Sequence, residues 1–220
     1  MSAWPRVVDV RAAEAADLAP VAEHVRAGGL IAYPTETVYG LGGAASSPEA
    51  AAAIRRLKAS EPDKPLIVLV PSAEAVGRLA WTDAARGLAR AFWPGSLTLV
   101  LEDREGIFPP NVGDPHARTV AVRVSPHPLV ARLVRELGPL TSTSLNRSGE
   151  PPAASGVAAV EAVRRMGGRD VIVLDAGELP PSAPSTVVDC TGPVPRVIRP
   201  GALPAADVQR VLMEIDGHHS

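Results

Sequence analysis

The sequence contains few of the residues that disulfide-bonded, metal-binding and membrane proteins need. It has one cysteine, Cys190, among 220 residues, which excludes an internal disulfide and a zinc site built from several cysteines. No apolar run approaches the roughly 18 residues of a membrane helix, and the amino terminus has no basic stretch followed by an apolar signal segment. We therefore expect a globular protein of the cytoplasm that does not associate with membranes.

Lysine is also scarce. Of the 22 lysine and arginine residues only two are lysines, Lys58 and Lys64, and both lie within residues 58–65. A lysine ammonium is a compact charge on a flexible stem and can meet a phosphate or carboxylate from one direction, whereas the arginine guanidinium is a planar fork. Two lysines taken alone are more often solvated loop residues. A functional role for this pair therefore depends on the polar segments around it.

The formal net charge at pH 7 is -2. Proteins that bind nucleic acid over a broad face carry a marked excess of positive charge, so this balance argues against such a face. It leaves room for a small basic pocket. We expect any contact with a polyanion to be local.

Apolar patterns typical of strands and helices alternate along the chain. Strands are predicted at residues 7–10, 30–33, 66–70, 97–101, 119–124, 171–174, 186–190 and 197–198. Helices are predicted around residues 18–25, 48–57, 128–137, 157–166 and 207–215. Two more helices are predicted after the capping residues Ser72 and Thr82. This alternation, without an internal repeat or a clear linker, favours an α/β domain with helices over a substantially parallel sheet.

Polar residues cluster at four places just past predicted strands, and these are the candidate ligand contacts. Open α/β sheets bind ligands in the crevice outside the carboxyl ends of their strands. Hydroxyl and amide groups suit an anionic ligand, because they donate hydrogen bonds to phosphate or carboxylate oxygens. For the hydroxyls at 142–144, the alternative is a strand end with residues chosen for strand propensity. The four places are residues 35–43, 58–64 and 141–148, and Ser185 with Arg199.

The first of these segments is rich in glycine, at positions 40, 42 and 43. Glycine lets the backbone approach a ligand closely, because it has no side chain. The spacing fits neither the Walker phosphate loop nor the dinucleotide-binding fingerprint. We interpret it as a ligand-approach segment of another kind.

Arg123 stands in the otherwise apolar segment 120–124. A charged residue in a buried strand is costly unless an anion pairs with it. Two partners fit equally well, an acidic residue of the chain itself or a bound ligand. The five histidines offer no metal site, because they lie in a helix pattern, beside prolines or at the end of the chain.

Six motifs in a fixed order carry a family resemblance. They are YPTETVYGLG from Tyr33, Lys58 before PLIV from Pro65, WPG from Trp93, TVAVR from Thr119, STSLNRSG from Ser142, and STVVD from Ser185 with RPG from Arg199. Together they resemble the YrdC family, which includes L-threonylcarbamoyladenylate synthases. The resemblance covers about residues 10–205.

This resemblance implies one YrdC-like domain over residues 1–220, without the extra C-terminal domain that some relatives carry. The implied fold is α/β, with a twisted, largely parallel or mixed sheet flanked by helices around a deep basic cleft. We expect residues 216–220 to be disordered.

The resemblance also implies a reaction. The amine of L-threonine and bicarbonate form a carbamate, whose oxygen attacks the α-phosphate of ATP and expels pyrophosphate, with Mg²⁺ held mainly by the nucleotide. The product serves threonylcarbamoyladenosine modification of tRNA, so tRNA is the downstream acceptor and further enzymes would transfer the group. Lys58 and Arg123 are the implied catalytic residues. The residues implied around L-threonine are Thr35, Arg123, Thr143 and Ser185, and those implied around ATP are Lys58, Thr119, Ser142, Ser144, Asn146 and Arg199.

Three positions depart from the family pattern. Ser60 stands where the synthases usually have arginine, Leu69 where a histidine is common, and Leu145 where a smaller residue is usual. Two alternatives to an active synthase therefore stay open. One is a weakened or re-purposed paralogue acting on another adenylate or carbamoyl compound. The other is a non-catalytic RNA-binding module, which the acidic net charge disfavours.

Overall fold

The computed structural model describes residues 4–12, 16–59 and 65–217. Within them the strands are β1 (Val7–Asp9), β2 (Leu30–Pro34), β3 (Tyr39–Gly42), β4 (Ile67–Leu69), β5 (Leu97–Glu102), β6 (Thr119–Arg123), β7 (Leu140–Ser144), β8 (Val171–Asp175), β9 (Thr186–Asp189) and β10 (Arg196–Arg199). The helices are α1 (Ala19–Arg26), α2 (Pro48–Lys58), α3 (Asp83–Phe92), α4 (Pro128–Leu137), α5 (Gly156–Met166) and α6 (Ala205–Gly217), with a short 3-10 helix at Glu74–Val76. The predicted elements all recur with bounds shifted by one or two residues, except the helix expected after Ser72, where only the 3-10 turn forms.

The predicted helix caps at Ser47 and Thr82 are confirmed. The hydroxyl of Ser47 accepts a hydrogen bond from the backbone N–H of Ala50 at 3.1 Å, and that of Thr82 accepts one from Ala85 at 3.1 Å. Each bond satisfies a backbone donor that has no partner within the first helical turn. Helix α2 therefore begins at a defined residue and carries Lys58 at its other end.

The ten strands form one sheet in the order β1-β8-β2-β3-β7-β4-β6-β5-β9-β10. Among the described residues four neighbouring pairs are parallel and five are antiparallel. The mixed sheet is thus confirmed, and the expectation of a substantially parallel sheet is wrong. Three of the five antiparallel pairs involve β3 and β7, which run antiparallel to both of their neighbours. The tight turn at residues 35–38, which joins β2 to β3, permits only antiparallel pairing.

Strands β3 and β7 lie where the alternating pattern predicted no strand. Strand β7 bears out the strand-end alternative for residues 142–144. In β3, a Cβ on Gly42 would lie 1.8 Å from the carbonyl oxygen of Thr141. This glycine is therefore required by close packing of β3 on β7, so the ligand-approach interpretation is wrong for Gly42.

The two faces of the sheet carry different helices. Buried side chains of α2, α3, α5 and α6 form a large core cluster on one face, and those of α1 and α4 form a smaller cluster on the other. Successive side chains of a strand point to opposite faces of the sheet, so Val120 and Val122 of β6 belong to the large cluster. Arg123 consequently points to the face that carries α1 and α4, which we call the two-helix face.

The closing helix α6 packs on α3, where a Cβ on Gly87 would lie 2.2 Å from Cδ1 of Ile215. This contact holds the last turns of the helix, which continues to Gly217. Residues 216 and 217, expected in a disordered tail, are therefore helical, and residues 218–220 lie outside the described part of the chain. No helix within the described residues is both long enough and apolar enough to span a membrane.

Candidate active site

Most of the predicted residues gather over the two-helix face of the sheet. In the strand register, Ile67 of β4 lies between Ala121 of β6 and Ser142 of β7. Alternation then places Arg123 and Ser144 on the same face as these three. Because β7 runs opposite to β4 and β6, the carboxyl end of β7 lies at the opposite end of the strands from the carboxyl end of β6. The expectation of one crevice outside the carboxyl ends is therefore wrong, and the site lies over the face of the strands.

A cavity of about 160 Å³ marks this place. Two guanidinium groups and six hydroxyl groups line it, and no carboxylate does among the described residues. Seven of the ten predicted site residues are in this lining. The full lining is Thr35, Thr37, Val38, Gly40, Pro65, Ile67, Arg123, Ser142, Thr143, Ser144, Pro184, Ser185 and Arg199. Such a lining suits a ligand with negative charge and several hydrogen-bond acceptors.

Arg123 lies between the cavity and an acidic residue of the chain. Its Nη2 forms an ion pair with Oε1 of Glu36, and its Nε donates to the backbone oxygen of Gly95 at 3.0 Å. Burial lowers the pKa of Arg123 to about 10, and the nearby charge of Arg199 adds to this effect. Because this pKa is still well above 7, the guanidinium stays charged at neutral pH. Of the two partners that fitted the sequence, the internal acid is present, and the guanidinium also lines the cavity.

Ser185 is held from two sides. Arg199 donates from Nε and Nη2 to the backbone oxygen of Ser185 at 3.2 and 2.8 Å, and from Nη2 to its hydroxyl at 3.0 Å. On the other side, the hydroxyl of Thr98 lies 2.8 Å from the hydroxyl of Ser185. Thr98 is fully buried and was not among the predicted residues. Thr98 could have been identified from the sequence, because it is a polar residue in the otherwise apolar segment 97–101, as Arg123 is in the segment 120–124.

Thr35 shapes the turn between β2 and β3. Its hydroxyl accepts hydrogen bonds from the backbone N–H groups of Thr37 and Val38, both at 3.2 Å, and donates to the carbonyl of Val38 at 2.7 Å. This pattern holds residues 35–38 in one conformation over the cavity. A contact between Thr35 and L-threonine stays a prediction.

Lys58 joins Ser144 and Asn146 in a cluster beside the cavity. Its ammonium donates to the backbone oxygens of Ser144 and Asn146 at 2.5 and 2.6 Å and to Oδ1 of Asn146 at 2.9 Å. The hydroxyl of Ser144 also donates to that Oδ1 at 2.6 Å. Ala59, which follows Lys58, adopts a left-handed conformation that ends the helix. Lys58 thus positions the segment after β7, and its contact with ATP stays a prediction.

Thr119 lies outside both the cavity and the Lys58 cluster beside it. Thr119 begins β6, four residues before Arg123, which corresponds to about 13 Å along the strand. It lines a separate cavity near Asp103 and Phe108. Its proposed contact with ATP stays a prediction.

The departures from the family pattern fall in different places. Ser60 and Lys64 lie outside the described residues. Leu69 is buried in the smaller core cluster and pairs in register with Arg123, and Leu145 is buried in the larger cluster. At both leucines the chain therefore presents apolar packing and no group that could act on a substrate.

The described residues contain no group of three or more metal-binding side chains that could hold an ion. The cavity lining agrees with this, because its hydroxyls and guanidiniums include none of the carboxylates that Mg²⁺ prefers. The lining therefore does not fit an ion held by the protein itself.

Comparison with known proteins identifies the family. A model of the Sua5/YciO/YrdC family, described as telomere recombination, matches residues 23–201. The chain belongs to the Sua5/YciO/YrdC family. The resemblance inferred from the six motifs is thereby confirmed.

Relatives within the Sua5/YciO/YrdC family cover most of the chain. A Mycobacterium tuberculosis protein is 40% identical over 190 residues, which are 86% of this chain and 85% of the relative. The threonylcarbamoyl-AMP synthase of Pyrococcus abyssi is 38% identical over 198 residues, 88% of this chain and 56% of its own. The crystal structure of P. abyssi Sua5 complexed with L-threonine superimposes with a TM-score of 0.79 at 34% identity. That match covers 94% of this chain and 60% of the Sua5 chain.

Proposed function

We propose that this protein is an ATP-dependent L-threonylcarbamoyl-AMP synthase. L-Threonine, bicarbonate and ATP would give threonylcarbamoyl-AMP, pyrophosphate and water, which makes the enzyme a nucleotidyltransferase. The observation that carries the proposal is the cavity lined by two guanidiniums and six hydroxyls without a carboxylate. Membership of a family with named synthases supports the same reaction.

In the proposed arrangement, Arg123 receives the carboxylate of L-threonine as a two-bond fork. Thr35, Thr143 and Ser185 would bind the remaining polar groups of the amino acid, since their side chains line the same cavity. The hydroxyls of Thr98 and Ser185 contact each other at 2.8 Å, so Thr98 would orient Ser185 for this task.

The nucleotide would lie on the side of the cavity formed by β7. Ser142 and Ser144 would donate hydrogen bonds to phosphate oxygens, and Arg199 would bind them with its charge. Lys58 and Asn146 would hold the segment after β7 against the phosphates, and Thr119 would contact a more distant part of the nucleotide. Mg²⁺ would enter as part of the substrate MgATP, since the cavity lining does not supply its ligands.

The protein would contribute to the reaction in two ways, by aligning the reactants and by stabilising charge. The carbamate oxygen and the α-phosphate must be held in line, which converts a reaction between three separate molecules into one within a complex. The negative charge that spreads over the phosphoryl oxygens must be stabilised, and fixed guanidinium and hydroxyl groups do this without reorganising. We propose the cytoplasm as the location, tRNA as the downstream acceptor, and separate enzymes for the transfer.

The direct test measures pyrophosphate release by the purified full chain with MgATP. Release should require both L-threonine and bicarbonate. Arg199→Ala should slow it strongly, whereas Arg196→Ala, an exposed arginine of the same strand, should leave it unchanged. Release that is indifferent to L-threonine would contradict the proposal and favour a paralogue with another substrate. Salt-dependent binding of tRNA without any turnover would instead favour the RNA-binding alternative.

A further inference from the structure

Two contacts with the chain hold the guanidinium of Arg123 at the candidate site. Its Nε donates to the backbone oxygen of Gly95 at 3.0 Å, and its Nη2 forms the ion pair with Oε1 of Glu36. The side chains of this ion pair are 5% and 20% exposed, in the order Arg123 and Glu36. Arg123 lines the cavity, whereas Glu36 does not. Any effect of Glu36 on a ligand in the cavity must therefore come through Arg123 or through its own charge. Glu36 was not among the residues predicted from the sequence.

These two contacts leave one edge of the guanidinium open. A guanidinium has five N–H groups, one on Nε and two on each Nη. Gly95 takes the N–H of Nε, and Glu36 pairs with Nη2, which has a second N–H. Nη1 makes no hydrogen bond to residues 4–12, 16–59 or 65–217. Nη1 and Nη2 form the end-on edge of the group, and a ligand carboxylate can bind this edge through two parallel hydrogen bonds.

The contact with Glu36 also fixes the plane of the guanidinium. The group is rigid and planar, but it ends a flexible side chain. A single bond from Nε to Gly95 would let the plane tilt about that bond, and the second contact at Nη2 removes this freedom. Two parallel bonds require the ligand carboxylate to lie in the guanidinium plane. A plane that is fixed before the ligand arrives lowers the ordering cost of binding.

Glu36 is itself held in place. The hydroxyl of Ser125 donates to its Oε2 at 2.6 Å, and the hydroxyl of Ser96 lies 3.4 Å from its Oε1. The hydroxyl of Thr35 makes three hydrogen bonds within the turn at residues 35–38, which carries Glu36. The carboxylate is therefore fixed by its own backbone and by hydroxyls from two other segments of the chain.

We propose that Glu36 is a positioning residue that orients Arg123 for the carboxylate of the substrate. This inference rests on the proposed function, in which Arg123 binds the carboxylate of L-threonine. The negative charge of Glu36 has an opposite effect, because it partly offsets the charge of the guanidinium. Ser125 and Ser96 share in stabilising that charge, and the open edge of the guanidinium remains for the ligand. Orientation is therefore the larger effect, and removal of Glu36 weakens substrate binding.

The test is Glu36→Ala in the full chain, with binding of L-threonine and of MgATP measured separately by titration calorimetry. We expect L-threonine to bind about tenfold more weakly, which corresponds to the loss of one charge-assisted hydrogen bond of the fork. MgATP should bind as in the wild type, because Arg123 contacts only the amino acid in the proposed arrangement. Glu23→Ala removes an exposed carboxylate from α1 and should change neither affinity.

A double variant shows whether the effect passes through Arg123. Glu36→Ala combined with Arg123→Ala should bind L-threonine no more weakly than Arg123→Ala alone. Binding of L-threonine by Glu36→Ala that is as tight as in the wild type, or tighter, would overturn the proposal. Equal losses for L-threonine and MgATP, or additive losses in the double variant, would also overturn it, because they would indicate a general effect on the fold.

If Glu36→Ala does not fold, Ser125→Ala tests the same proposal. It removes the hydroxyl that holds Oε2 of Glu36 and leaves the ion pair, so L-threonine should bind about threefold more weakly. Unchanged binding by Ser125→Ala would then overturn the proposal. Arg123→Ala separates this inference from the proposed function. If that variant binds L-threonine like the wild type, the assignment of Arg123 fails and the inference fails with it. If Arg123→Ala binds weakly and Glu36→Ala binds normally, the inference alone fails.

Discussion

Replacing Arg123 tests the assignment on which the proposed site depends. In Arg123→Ala the cavity loses the charged fork that would bind the carboxylate of L-threonine. Loss of a hydrogen bond to a charged group costs about 1.5 to 3 kcal/mol, which corresponds to roughly 10- to 160-fold weaker binding. Arg123→Lys should not restore the affinity, because one ammonium cannot reproduce two parallel bonds from a planar group.

The same substitution affects stability, so the assay must separate the two effects. Arg123→Ala leaves the carboxylate of Glu36 without its cationic partner, although Ser125 still binds it at 2.6 Å. Thermal unfolding followed by circular dichroism identifies a temperature at which the variant is folded, and calorimetric titration with L-threonine is performed there. Val122→Ala provides the matched control. Val122 is the neighbouring residue of β6 and packs in the large core cluster on the opposite face.

The control should lose stability through its cavity while L-threonine binds as in the wild type. The reasoning about Arg123 is refuted if Arg123→Ala also binds L-threonine with wild-type affinity. Arg123 would then serve only as the structural partner of Glu36.

Further substitutions at four positions test the rest of the site. Thr98→Val removes the hydroxyl that contacts Ser185 at equal volume and should weaken L-threonine binding about 3- to 10-fold by calorimetry, whereas Thr98→Ser should restore it; equal loss in both would point to packing alone. Lys58→Met removes three hydrogen bonds to the segment after β7 and should slow pyrophosphate release by at least about 100-fold, and a variant with a normal rate would show that this anchoring is dispensable. Ser60→Arg should raise turnover and leave L-threonine affinity unchanged, because a guanidinium there would act on charge that develops in the transition state. If Lys64 supplies that charge instead, Lys64→Ala alone should strongly slow pyrophosphate release, and adding Ser60→Arg should restore the rate. An unchanged rate in both Lys64→Ala and Ser60→Arg would refute this account.

Much of the fold could be predicted because the signals are local. A helix cap such as Ser47 acts on a backbone group three residues away, and a buried strand such as β4 needs only a short apolar run. The strands that escaped prediction lack such signals. β3 consists of Tyr39, Gly40, Leu41 and Gly42, and four of the five residues of β7 carry hydroxyls, so neither has the usual apolar strand pattern.

The candidate site was predicted in part from the residues and in part from the family resemblance. Arg123 could be identified because it is a charged residue among apolar neighbours. Thr98 is a polar residue in a similar position, which is a weaker indication of the same kind. Glu36 carried none, because an acidic residue in a turn is ordinary. The resemblance also pointed to Thr119, which the fold places at the other end of β6, lining a different cavity.

The sequence by itself determined most of the segments that form strands and helices, and it determined that a guanidinium in β6 must meet an anion. Both follow from interactions within a few residues and from the cost of burying a charge. Only the tertiary structure decided which anion this is and which strands lie side by side. The contact between Thr98 and Ser185, 87 positions apart, and the pairing of Glu36 with Arg123 arise from the mixed order of the sheet. No local pattern encodes that order, because it depends on which distant strands bury their faces together.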